Sequence, residues 1–192
     1  PNTDATRQIT FTIGVIALSA KMAKADGVVT REEVDAFKQV FRVPAHEMRN
    51  VGRVYDRARQ STAGYEAYAR QIADLLRDRK TVLKDLLEGL FFIAKADGKV
   101  HPSEREFLHN VAMIFGFSET EFAQLSSRHI GPDAENPYTI LGVDPDISND
   151  ELRRQYRKLV KENHPDILMA QGVPSDLISV ATERVAQINV AY

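Results

Sequence analysis

Leu152-Arg153-Arg154-Gln155-Tyr156-Arg157-Lys158-Leu159-Val160-Lys161-Glu162-Asn163-His164-Pro165-Asp166 is the stretch on which the reading of this chain turns. On a helical wheel Arg153, Arg154, Arg157, Lys158 and Lys161 fall within about 140° of arc. Leu152, Tyr156, Leu159 and Val160 fall within about 100° on the other side. The segment is a helix with one face to pack and one face of cations. Ser148-Asn149-Asp150-Glu151 ahead of it has the spacing of a capping box, so the helix opens there. It ends at His164-Pro165-Asp166, because proline cannot extend a helix interior. Pro174 leads into a last helix in which Leu177, Ala181, Val185, Ile188 and Tyr192 share a stripe. Two amphipathic helices of this kind predict an antiparallel hairpin with His-Pro-Asp at its tip.

Upstream, a short helix is predicted from Tyr138 to Leu141, followed by a turn from Gly142 to Ile147. Before it, Ile130-Gly131-Pro132-Asp133-Ala134-Glu135-Asn136-Pro137 combines two prolines and a glycine with no apolar period, the mark of a linker. This divides the chain into 1–130, a linker at 131–136, and 137–192.

The first of these parts contains an internal repeat. Ala23-Lys24-Ala25-Asp26-Gly27-Val28-Val29 returns as Ala94-Lys95-Ala96-Asp97-Gly98-Lys99-Val100, 97 − 26 = 71 positions on, with Glu33, Phe37 and Val40 answered by Glu104, Leu108 and Val111. In each copy an apolar helix (Val15, Leu18, Met22; Leu83, Leu86, Leu87, Leu90) ends at the glycine, and an amphipathic helix follows. Between the copies Pro44 starts a helix and Tyr65 to Leu76 continues helical periodicity. After them Ser118-Glu119-Thr120-Glu121 caps one more. About seven helices are predicted up to His129. Two hairpins related by a pseudo-twofold bury their apolar faces against each other. With no convincing strand pattern, the class is all-α.

Composition bounds the function. The 192 residues carry 25 Lys plus Arg against 27 Asp plus Glu, so a net charge of -2 gives no general attraction to nucleic acid or anionic lipid. The chain has no cysteine, which excludes disulfides, thiolate metal sites and a cysteine nucleophile, and fits a reducing, cytoplasmic setting. No apolar run approaches the roughly 18 residues of a spanning helix. The sequence opens on Pro1 and stops at Tyr192 inside an amphipathic pattern, and both ends read as cut. No Ser-His-Asp order, phosphate-cradling glycine loop or paired-carboxylate cleft is present, so no enzymatic activity is assigned and no cofactor is called for.

Pro137-Tyr138-x-x-Leu141-Gly142-Val143, Tyr156-Arg157-Lys158-Leu159, His164-Pro165-Asp166 and Ile188-x-x-Ala191-Tyr192 together resemble, in order and spacing, the J-domain. The resemblance implies that His164, Pro165 and Asp166, with Arg153, Arg154, Arg157, Lys158 and Lys161, dock on a DnaK-type chaperone ATPase and promote its hydrolysis of ATP. Three features depart from the family: Ile167 where Lys or Arg commonly follows the triplet, Val185 where Phe is common, and no short fourth helix. The loop Ile167 to Pro174 and the helical upstream part narrow the likeness to DnaJ-like co-chaperones of the DjlA type, with a TerB-like (tellurite resistance) first domain. That likeness implies a membrane anchor before this module, hence the cytoplasmic face of the bacterial inner membrane. Its upstream module would bind a client, localise the protein or form a homodimer. Nucleic acid is not an expected partner.

Asp26, Glu33, Asp97 and Glu104 have the spacing of the second half of a calcium loop. The first-half positions hold Met22, Lys24, Ile93 and Lys95, which do not ligate calcium. Helix capping accounts for the same residues: glycine at positive φ, Thr30-Arg31-Glu32-Glu33 as a capping box, Pro102 at a first helical position. A shared acidic patch of Asp26 and Asp97 stays open, whereas His101, His109 and His129 show no ligand spacing and read as surface or capping residues. Two alternative functions remain beside the co-chaperone: an adaptor that binds without stimulating, and a metal- or stress-ion-binding module with an accessory J-domain.

Overall fold

The computed structural model describes residues 3–131, 136–170 and 177–192. It divides into two compact units, Pro1–Phe122 and Ala123–Tyr192. Every regular element among the described residues is helical.

The first unit holds α1 (Thr3–Ala23), α2 (Arg31–Val40), α3 (Met48–Ala58), α4 (Tyr65–Leu75), α5 (Lys80–Ala94) and α6 (Pro102–Ile114); α7 (Glu119–Ile130) begins in it. The apolar helices α1 and α5 are the core. Leu18, Met22, Leu86, Leu87, Leu90 and Phe91 are fully buried. The two repeats are the helix pairs α1–α2 and α5–α6, and they cross over: α2 packs on α5, while α6 packs on both α5 and α1. Each second helix thus covers the core helix of the other copy, which neither hairpin could do alone.

The capping boxes are as read, but the helices end before their glycines: α1 stops at Ala23 and α5 at Ala94, because a further turn follows each, closed by Gly27 N donating to Lys24 O at 2.8 Å and Gly98 N to Lys95 O at 2.9 Å. Gly27 and Gly98 have φ of 93° and 106°, where a side chain is disfavoured. Thr30 Oγ1 accepts from Glu33 N at 3.2 Å, and Glu33 Oε2 accepts from Thr30 N at 2.7 Å. Ser118 and Glu121 make the same exchange at the start of α7.

One boundary is corrected. The helix expected from Pro44 begins at Met48, because Pro44 to Glu47 close a separate turn, with Glu47 N donating to Pro44 O at 3.0 Å. Lys21 is an unexpected core residue: from inside apolar α1 its ammonium donates to Ser61 O and Ala63 O at 2.8 Å each and to Ala58 O at 3.4 Å. It satisfies carbonyls at the end of α3 and in the following loop.

The second unit contains α8 (Pro137–Leu141), α9 (Asn149–Glu162), α10 (Pro165–Ala170) and α11 (Ile178–Ala191). Asn136 caps α8 by accepting from Tyr138 N at 2.9 Å, and Ser148 caps α9 by accepting from Glu151 N at 3.3 Å. α9 and α11 pack as the predicted hairpin, with α8 against both. Leu177, Ala181 and Ile188 are buried on the shared face. The loop expected from Ile167 is corrected at its start: Pro165, at a first helical position, opens α10. His164 O accepts from Ile167 N and Leu168 N at 3.0 and 3.1 Å. Residues 171–176, with Pro174, and the linker residues 132–135 lie outside the described residues. None of the helices described is long and apolar enough to cross a membrane.

Candidate chaperone-binding site

The site grows out of the end of α9. Asn163 is its C-cap, with its backbone N–H donating to Leu159 O and Lys161 O. The side-chain amide of Asn163 reinforces this by donating to Leu159 O at 2.7 Å. The chain then turns sharply through His164-Pro165-Asp166 into α10. Within the turn, His164 Nδ1 accepts from Asp166 N at 3.2 Å. Accepting there requires Nδ1 to be unprotonated, so the neutral ring carries its proton on Nε2. The His164 and Asp166 side chains stay 48% and 79% exposed, and the Asp166 carboxylate is 3.8 Å from Nδ1. An aspartate and an imidazole donor are thereby displayed at the tip of a hairpin.

Arg153, Arg154, Arg157, Lys158 and Lys161 are all exposed along α9. Among the described residues the ion pairs they make are surface ones, Arg153 to Asp150 at 3.8 Å and Lys158 to Glu162 at 4.0 Å, pairs of little energetic weight. Arg154 and Lys158 also line an open groove shared with Asp144, Asp146 and Glu151. No residue of α9 is fully buried, so the helix keeps its charge available to solvent.

At its other end the hairpin is pinned by Tyr156 Oη donating to Asn189 Oδ1 at 3.0 Å and by stacking of Tyr156 on Tyr192, with ring centroids 4.1 Å apart. Near the tip, Arg184 Nη1 donates to Asn163 Oδ1 at 2.7 Å. Val185 and Ile167, the two departures from the family pattern, are both half-buried.

The acidic residues of the repeat form a second cluster, at the junction of the two hairpins. His101 Nε2 lies 3.5 Å from Asp26 Oδ2 and 3.2 Å from Asp97 Oδ2. Each aspartate uses its other oxygen to hold its own loop, Asp26 Oδ1 accepting from Val28 N and Asp97 Oδ1 from Lys99 N. The shared patch of Asp26 and Asp97 therefore exists, and His101, a helix-capping residue as expected, is the group that joins them. Beneath it Glu33 and Glu104 are 2% and 0% exposed. Glu104 Oε2 accepts from His101 N at 2.8 Å, while no amide or hydroxyl donor among the described residues reaches the buried Oε1. Burial, and then the hydrogen bond with the Glu33 carboxyl, push the Glu104 carboxyl up to about 8. At neutral pH the Glu104 carboxyl therefore holds its proton. No group of His, Asp and Glu among the described residues is arranged to hold a metal ion. His109 instead meets Glu119 at 2.9 Å.

Two family matches cover these two regions. Residues 12–127 match the tellurite resistance protein TerB family, and residues 136–192 match the DnaJ domain. The class is a J-domain protein with a TerB domain ahead of the hairpin. The chain is 31% identical to the Co-chaperone protein DjlA of Vibrio cholerae, with 98% of this chain and 78% of that protein covered. It is 30% identical to that of Vibrio vulnificus at the same coverage, and 23% identical to that of Haemophilus ducreyi, with 97% of this chain and 78% of the relative covered. The chain belongs to the DjlA family of co-chaperones. No solved structure matches it significantly.

Proposed function

We propose that this chain recruits a DnaK-type chaperone and stimulates its ATP hydrolysis through His164, Pro165 and Asp166. The cations Arg153, Arg154, Arg157, Lys158 and Lys161 steer the encounter. The observation that carries this reading is the exposed His-Pro-Asp turn at the tip of a hairpin whose first helix holds five solvent-facing cations. Exposed cations facing an acidic docking site raise association rates in a salt-dependent way. Asp166 then supplies a carboxylate to a cationic group of the chaperone, and its charge matters because the pair is desolvated in the complex. Residues 1–130 act as the partner-binding or localising module and 131–136 as the linker.

Asp166→Asn tests this. The swap keeps size and hydrogen-bonding capacity while removing the charge. Leaving a buried partner charge unpaired costs about 2–5 kcal/mol, so stimulation of the ATPase falls by more than about tenfold. The side chain is solvent-facing in the free protein, so the melting curve is unchanged. Full stimulation by Asp166→Asn with an unchanged melt refutes the mechanism. Chaperone binding by the wild-type chain with no rate increase supports the adaptor reading instead.

A further inference from the structure

We infer that Arg184, on the second arm of the hairpin, is a positioning residue that sets the direction in which His164-Pro165-Asp166 is presented. The inference rests on the stimulating role proposed above.

The turn is held on both sides. On one, His164 bonds to the end of α9 through its backbone N–H to Lys161 O at 3.4 Å, and its ring receives the Asp166 amide. On the other, His164 O opens α10, which packs on α9 and α11. Both side chains project into solvent, so the orientation of the triplet depends on how the end of α9 is held against the second arm.

Asn163 is the last residue before the triplet, and it is held from two sides. Its amide nitrogen closes onto Leu159 O of α9, and its amide oxygen receives Arg184 of α11, each at 2.7 Å. The second contact spans 184 − 163 = 21 positions and is part-buried. A guanidinium donor makes it charge-assisted, and partial burial protects it from competing water. Asn163 thus couples the cap of one arm to a side chain of the other.

The register of the hairpin supports this role. The polar link Tyr156 to Asn189 lies two turns of α9 before Asn163, with the Tyr156–Tyr192 stack beside it. In an antiparallel pair the partner of Asn163 then lies near residue 182 to 184, which is where Arg184 stands. One link fixes the base and the other fixes the tip. Removing the link at the tip leaves α9 packed, because the apolar contacts of Leu177, Ala181 and Ile188 remain. What is lost is the constraint on the cap that aims the turn.

Encounter with the chaperone is set by the stripe on α9, which does not include Arg184. Productive engagement depends on the turn. The two halves of the stimulation curve therefore separate: Arg184→Met, which retains the aliphatic stem, lowers the rate at saturating co-chaperone by about tenfold, the scale of one lost charge-assisted hydrogen bond. The half-saturating concentration changes less than about twofold. Arg184→Lys, which keeps a cationic donor, restores more than half of the maximal rate. In nuclear magnetic resonance spectra of the full chain, Arg184→Met shifts the Asp166 amide and His164 ring signals while the Tyr192 ring signals stay in place.

A maximal rate unchanged in Arg184→Met overturns the inference, as does a loss carried wholly by the half-saturating concentration. Equal loss in Arg184→Lys and Arg184→Met also overturns it, as does a change in helicity that accounts for the loss. A wild-type chain that fails to stimulate at all removes the underlying functional reading; a stimulating wild type with an indifferent Arg184→Met removes only this inference.

Discussion

Glu104→Gln turns the acidic junction of the TerB unit into a measurement. In the wild type, the folded-state carboxyl lies at about 8 against an unfolded value of 4.5. The sign follows directly. Between those values the folded chain holds a proton that the unfolded chain releases, so the linked contribution to stability is complete below about pH 4.5. It is lost as pH rises towards and through 8. At about 1.36 kcal/mol per unit the full difference has a ceiling near 5 kcal/mol, and relaxation of the loops around the two hairpins reduces it to a working figure of about 2 kcal/mol. Glutamine preserves the shape: its oxygen still accepts from His101 N, and its amide nitrogen donates permanently to the Glu33 carboxylate. The variant therefore matches the wild type near pH 5 and surpasses it at pH 8.5. In a unit of this size about 2 kcal/mol corresponds to a thermal midpoint about 8 °C higher. Circular dichroism melts of both proteins at the two pH values read the difference, and all groups that titrate alike in the two cancel. A difference that is the same at both pH values refutes the proton held on Glu104.

Lys21→Met removes the donor from three carbonyls while keeping the apolar stem. It costs about 1–3 kcal/mol, seen as a midpoint lower by about 4 °C or more, and an unchanged midpoint shows that water replaces the ammonium freely. Chelator leaves the melting of the TerB unit unchanged, because capping and the proton held on Glu104 account for Asp26, Glu33, Asp97 and Glu104. A fall of more than about 4 °C on chelation returns those residues to the role of metal ligands.

The parts of the fold written in local spacing were legible in the sequence. Gly27 and Gly98, the Thr30–Glu33 and Ser118–Glu121 capping pairs, and the two stripes of α9 each follow from residues within a few positions of one another. What was not legible depends on residues far apart. His101 is 101 − 26 = 75 positions from Asp26, and only the reciprocal packing of the hairpins brings them together. Lys21 reads from sequence as an interruption of an apolar helix; its three acceptors lie about forty positions on, at the end of α3 and in the loop that follows it. The Arg184–Asn163 contact crosses between two helices whose relative register no motif specified. At the tip, proline was correctly read as ending α9, but its preference for the first turn of a new helix also opened α10.

The two units use charge in opposite directions, and this separates what their residues do. In the TerB unit, Glu33 and Glu104 turn inward to 2% and 0% exposure, and Asp26 and Asp97 meet across His101. Carboxyls held this way are costly unless each oxygen finds a donor or a shared proton, so their effect is registered in folding. In the hairpin, α9 has no fully buried residue, and among the described residues the ion pairs of its cations are weak surface ones. Charge kept in water contributes little to folding and remains free to meet a partner. Substitutions at the acidic junction are therefore expected to move the melting curve and its pH dependence, whereas under the proposed function those on the stripe and at Asp166 move stimulation and leave the melt alone. Arg184 falls between these groups: it is one charge in the hairpin directed at the protein itself, and it is directed at the residue that precedes His164.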